Sequence, residues 1–137
     1  MKVLVPTDGS EHSLKAVESA VALAKHEHAE VTLLAVAYTA REDMDEMPPA
    51  IHERLEGEAR KALERAKALF DSEGIEVKAI LEAGFVPADN IIKKAAEGGF
   101  DRIVMGSTGS SKPKGVLIGS TAAKVVAGAP CSVTIIR

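Results

Sequence analysis

The chain has no tryptophan, one tyrosine and one cysteine among its 137 residues. A single cysteine, Cys131, excludes an intramolecular disulfide. Cys131 follows Pro130 and precedes an apolar run, which suits a small buried hydrophobe, with a reactive thiol as the alternative. Aromatic residues make up 3% of the chain, so the core is expected to be aliphatic. Stacking bases on rings, the usual device for single-stranded nucleic acid, is then hardly available. No run of about 18 apolar residues occurs, so no membrane span is expected. The opening MKVLVPTDGS has neither a long apolar segment nor a cleavage pattern; it does not read as a signal peptide, and a cytoplasmic protein is expected.

Acidic residues are missing from one quarter of the chain. Asp101 is the last carboxylate; after it come Arg102, Lys112, Lys114, Lys124 and Arg137, while the first 101 residues hold 12 bases and 20 acids. The net charge of −3 averages over this contrast. An anionic ligand near the C-terminal quarter would account for it, and so would chance in a short segment. No basic stripe for DNA or RNA is present.

What is present is 46% hydrophobic residues, enough for a chain of this length to bury roughly two-thirds of its unfolded surface. Residues 1–137 read as a single domain. Val3–Leu4–Val5 is a β-branched run stopped by Pro6, and Thr7–Asp8–Gly9–Ser10 supplies turn and N-cap chemistry. Leu14, Val17, Val21 and Ala24 recur at helical spacing from Ser13 onward. Residues 31–37 are almost continuously apolar, as in a strand buried on both faces. The polar, acidic segment 38–47 reads as a loop. Pro48–Pro49 opens a long amphipathic helix marked by Ile51, Leu55, Ala59, Ala62, Ala66 and Leu69, with Gly74 beyond its end. Ile75, Val77, Ala79 and Leu81 alternate with mostly polar residues and predict a half-buried strand towards a sheet edge. A turn at 83–87, a short helix around Ile91, Ile92, Ala95 and Ala96, a strand at 102–105, a helix at 120–127 and a strand at 133–136 complete the series. The order βαβαβαβαβ predicts an α/β fold: an open parallel sheet with helices on both faces.

In such sheets ligands bind beyond the carboxyl ends of the strands, where the strand order reverses. Two loops there are unusual. One is Pro6–Thr7–Asp8–Gly9–Ser10. The other runs 14 residues from Gly106 to Gly119 and opens a helix with Ser120–Thr121. Glycines let backbone approach an anion, and free N–H groups at a helix start favour negative charge. Turn formation and simple helix capping are the structural alternatives, for the glycines and Ser120 and equally for Asp8. The loop is neither a Walker A sequence nor the dinucleotide fingerprint, since Gly-4x-Gly-Lys and Gly-x-Gly-x-x-Gly are absent. No Gly-x-Ser-x-Gly elbow occurs. His12, His26, His28 and His52 lack the spacing of zinc ligands.

Gly106-x-x-Gly109, nine residues, then Gly119–Ser120 resembles the Gly-2x-Gly-9x-Gly-Ser/Thr motif of the universal stress proteins. The opening Val3 to Ser10, Gly84-x-x-Pro87, Asp101-x-Ile103–Val104–Met105–Gly106 and the ending Ala129 to Val133 match the same family in order along the whole chain. The resemblance implies a Rossmann-like five-stranded parallel sheet in the order 3-2-1-4-5. It also implies a homodimer joined through the last strand, which we expect to pair antiparallel between two chains. The family branch with the complete glycine motif is associated with ATP binding. Carried over by position, Gly106, Gly109, Gly119 and Ser120 would contact phosphates and ribose, with Thr121 beside them. Asp8 would face the ribose hydroxyls or a phosphate-bound Mg²⁺. Pro6, Thr7 and Val36 would border the adenine, and Met105 would pack near the ring or ribose. Ser110 to Lys114 is more polar than the family usually shows, and Pro113 removes a backbone donor. Lys112 and Lys114 read either as γ-phosphate ligands or as solvated surface. The expected function is ATP-dependent regulation in a stress response, acting on an unidentified protein partner. A slow ATPase and a dimeric adaptor that ignores nucleotide are the alternatives.

Overall fold

Val3, Leu4 and Val5 are each fully buried, because the strand they form lies in the middle of a sheet covered on both faces. The computed structural model describes residues 1–40, 47–108 and 118–137. Strand β1 (Lys2–Pro6) leads into helix α1 (Glu11–Glu27), then β2 (Glu30–Tyr38), α2 (Pro49–Asp71), β3 (Lys78–Gly84), α3 (Pro87–Glu97), β4 (Arg102–Gly106), α4 (Ser120–Gly128) and β5 (Ser132–Ile136). The five strands pair in parallel in the order β3-β2-β1-β4-β5, as expected from the alternation and the resemblance. Among the described residues no helix is long and apolar enough to cross a membrane.

Side chains on a strand alternate between faces, and here the alternation sorts two cores. Val3, Val5, Leu33, Ala35 and Val104 face α1 and α2, where Ala16, Val17, Ala20, Ala66 and Phe70 meet them. Leu4, Leu34, Ile103 and Met105 face α3 and α4, packing with Ile91, Ala95, Ala122 and Val125. The β2 run is apolar apart from Thr32 because it feeds both cores in turn.

Three local readings shift. Helix α1 begins at Glu11, ahead of the expected Ser13, because Ser10 caps it by accepting from the Ser13 N–H at 3.3 Å. Its buried stripe is Ser13, Ala16, Val17, Ala20 and Ala24, leaving Leu14 and Val21 half-buried. Small side chains let this helix lie close on the sheet, which outweighs the larger hydrophobes. The helix ends without glycine: His28 takes the left-handed conformation (φ 56°), and its N–H donates to the Leu23 carbonyl. Strand β3 starts at Lys78, not Ile75, since Ile75 and Val77 pack against the first core on the way in. Helix α3 begins at Pro87, where a prolyl ring pre-sets the first turn. Both β3 and β5 are sheet edges, and their residues are half-buried or exposed.

Candidate functional site

Strand order reverses at β1, whose chain neighbour β2 lies on one side and β4 on the other. A cavity of ≈ 390 Å³ opens beyond the carboxyl ends of these strands. Its floor continues the second core: Pro6 extends the Leu4 row, Leu34, Val36 and Tyr38 follow one another on β2, and Met105 extends the Ile103 row. Helix α3, packed on β2 and β3, contributes Pro87 and Ile91, while the start of α4 contributes Gly119, Ser120, Thr121 and Ala122. Thr7, Asp8, Ser13, Gly106 and Thr108 complete the wall.

The loop after β1 is held from several sides. The Thr7 N–H donates to the Leu34 carbonyl at 2.9 Å. The Thr7 and Ser13 hydroxyls lie 3.1 Å apart, and Ser13 Oγ donates to the Ser10 carbonyl at 2.9 Å. Asp8 Oδ1 accepts from the Ser10 N–H at 2.9 Å, so Asp8 braces the turn while Ser10 performs the capping. Gly9 sits at φ 81°, a left-handed position that disfavours side chains, and a Cβ there would reach within 3.3 Å of the Ala62 Cβ. Arg65 of α2 donates to the Gly9 carbonyl at 3.3 Å.

Gly106 has a separate reason to be glycine. A Cβ there would stand 2.7 Å from the His12 carbonyl carbon and 2.9 Å from the Ser13 nitrogen. The backbone of α1 leans directly on the end of β4, and no side chain fits between them. Just beyond, the Ser107 carbonyl accepts from the Gly119 N–H at 2.6 Å, and Ser107 Oγ lies 3.4 Å from His12 Nδ1. These contacts tie both loops and the start of α4 into one frame.

Nine of the ten residues singled out in the sequence line this cavity: Pro6, Thr7, Asp8, Val36, Met105, Gly106, Gly119, Ser120 and Thr121. The tenth, Gly109, lies outside the described residues, as do Lys112, Pro113 and Lys114. Sequence reasoning missed Ser13, Leu34, Tyr38, Ile91, Thr108 and Ala122 as lining. For Tyr38, Leu34 and Ile91 the signal was the period-two and helical spacing itself, carried one step past the core. The sequence marks Pro87 only as part of a turn.

The donor set suits an adenine nucleotide. The volume falls within the range of small-molecule sites, roughly 300–1,000 Å³, and apolar side chains with a few polar groups are the usual lining. The start of α4 offers N–H groups and two hydroxyls to an anion. Asp8 is the one carboxylate among the described lining residues, and no group of three or more His, Cys, Asp or Glu side chains that could hold a metal occurs among the described residues. A divalent cation would therefore need ligand oxygens besides Asp8. Cys131, half-buried against the second core, has its thiol pushed up by burial and then by the Asp101 charge.

The universal stress protein family model matches residues 1–137. The chain belongs to the universal stress protein family. It is 34% identical to the universal stress protein YxiE of Bacillus subtilis, over 99% of this chain and 98% of that one. Its backbone is similar to the solved structure of the protein MJ0577, with 32% identity, a TM-score of 0.83 and coverage of 98% and 94%. It is also similar to a universal stress protein solved in complex with cAMP, at 27% identity and a TM-score of 0.75, covering 100% of this chain and 97% of that one. The universal stress protein architecture therefore extends over the whole described chain, including the frame around the cavity.

Proposed function

We propose that this universal stress protein binds an adenine nucleotide, ATP with Mg²⁺, in the cavity at the ends of β1 and β4, and acts as a nucleotide-dependent regulatory protein of the cytoplasm. The observation that carries the reading is the meeting, in one cavity, of an aliphatic floor with the open start of α4 and Asp8, the one carboxylate among the described lining residues. The cAMP complex of a family member supports the ligand class. Pro6, Val36 and Met105 would wall the base, with Thr7 at its border. Gly106, Gly119, Ser120 and Thr121 would receive ribose and phosphates, joined by Gly109. Asp8 would accept from ribose hydroxyls or hold the cation through its bound water. ATP, when bound, would supply a phosphate tail whose presence or absence changes the surface around the cavity mouth.

We read the site as regulatory rather than hydrolytic, and Asp8 with the hydroxyls at the start of α4 are the groups that a hydrolytic reading would call on to orient a water. Phosphate release no faster from the wild type than from Asp8→Ala is the expected outcome. The half-buried edge strand β5 would pair with its copy in a homodimer, covering an edge otherwise open to aggregation; light scattering showing a monomer at micromolar concentration would contradict that.

Titration calorimetry with Mg-ATP tests the reading directly. Tyr38 gives a second readout: it is the chain's one tyrosine, there is no tryptophan, and it lines the cavity mouth. Tyrosine emission should change on addition of Mg-ATP. No heat and no emission change at millimolar ATP would sink the proposal.

A further inference from the structure

Among the described residues, one buried side-chain polar atom lacks a hydrogen-bond partner: Thr108 Oγ1. Thr108 is 5% exposed and belongs to the cavity wall. The other two buried hydroxyl side chains of that wall, Thr7 and Ser13, are bonded to each other. An orphaned hydroxyl in a native interior calls for an explanation.

The backbone next to Thr108 leaves it little freedom. The Ser107 N–H donates to the Ile136 carbonyl at 2.8 Å, and the Ser107 carbonyl accepts from the Gly119 N–H at 2.6 Å. These bonds fix Thr108 beside the first residues of α4, a nine-residue helix whose N-cap, Gly119, brings no side-chain cap. The hydroxyl and the methyl of a threonine exchange places in one rotamer step, so the unpaired oxygen is one step from a different facing.

We propose that the Thr108 hydroxyl donates to a phosphate oxygen of the bound nucleotide, seated against the start of α4. The inference rests on the nucleotide reading and adds to it a residue that the glycine motif does not specify. A phosphate oxygen is the favoured acceptor for two reasons. The position is that of the helix start, where negative charge is stabilised, and a hydroxyl bonds a charged oxygen more strongly than a neutral one. In the nucleotide reading the base has its walls elsewhere, at Pro6, Val36 and Met105.

The proposal makes two predictions of opposite sign for one substitution. In the free protein the unpaired hydroxyl is a cost, so Thr108→Val should raise the melting temperature, by about 3 °C. In the complex the same hydroxyl is bonded, so Thr108→Val should weaken Mg-ATP binding about tenfold. Adenosine, which lacks phosphate, should bind wild type and Thr108→Val alike, and Thr108→Ser should keep the wild-type affinity for Mg-ATP. Calorimetry with both ligands and thermal melts of the three free proteins decide the matter. Unchanged Mg-ATP affinity in Thr108→Val, an equal loss for adenosine, or a lower melting temperature of the free variant each overturns the inference alone. Silence of the wild type towards both ligands overturns the nucleotide reading, and this inference with it.

Discussion

The two faces of the sheet are built from the same strands but end differently. Against α1 and α2 the side chains close into a core that holds Ala66 and Phe70 of α2, both fully buried. Against α3 and α4 the same alternation runs on past the core, and its last members, Pro6, Val36 and Met105, become the floor of the cavity. The site is thus an unfinished core. One residue step along β2 separates the two situations: Leu33 and Leu34 are both fully buried, yet only Leu34 lines the cavity.

That pair offers the sharpest way to break the comparison. Leu33→Ala leaves an enclosed hole and should destabilise by about 4 kcal/mol, with nucleotide affinity of the folded protein unchanged. Leu34→Ala opens into the existing cavity, where water or ligand fills part of the space; a loss nearer about 2.5 kcal/mol is expected, together with a changed affinity. Denaturant melts and calorimetry on the two variants measure both quantities. Equal stability losses and equal affinities would erase the distinction between the faces.

Gly106→Ala should cost about 2 kcal/mol, since the new methyl meets rigid backbone of α1 and the helix has to shift. Because that helix start also carries Ser13 and the Thr7 bond, nucleotide binding should fall in the same variant. A stable Gly106→Ala with normal binding would show that the two loops are not one frame.

The smallest effect belongs to the rim of the open face. Lys94 of α3 reaches Glu82 of β3 at 2.7 Å, and Asn90 donates to the same carboxylate at 3.0 Å. Burial alone would raise the Glu82 carboxyl, but the Lys94 and Asn90 hydrogen bonds and the lysine charges outweigh it and hold it below its usual value. Lys94 is held above its usual value, chiefly by the hydrogen bond to Glu82. A depressed carboxylate stabilises above its unfolded pKa of about 4.3 and loses this as pH falls through the folded value. A raised lysine stabilises below its unfolded pKa of about 10.4 and loses this as pH rises through the folded one. Glu82→Gln should therefore lower stability by at most about 1 kcal/mol at neutral pH. The gap from wild type should shrink below about pH 4; melts across pH check it.

The sequence announced the fold because hydrophobic period and glycine punctuation agree at nearly every element. It was less informative where tertiary packing chose among options. Along residues 13–24 the spacing marks Leu14, Val17, Val21 and Ala24, but the buried stripe is Ser13, Ala16, Val17, Ala20 and Ala24, whose smaller side chains let the helix lie close on the sheet. Ile75 and Val77 alternate like a strand but serve as the lead-in to one. At the site, the family resemblance led to Asp8, Gly119 and Ser120. It gave no sign that Gly106 is dictated by His12, which is 94 residues away in the chain, nor that Thr108 is left without a partner. Both depend on which backbones touch, and no local pattern records that.

The strand order also has a consequence for how the protein is born. As the ribosome delivers the chain, β1, β2 and β3 can assemble early, but the central strand keeps one side bare until residues 102–106 emerge. The cavity has no second wall before then, so scaffold and pocket are completed in the same late step of synthesis. An N-terminal fragment ending near residue 100 would expose Leu4 and Val5 along an open edge, and should be a ready client for chaperones rather than a smaller version of the protein.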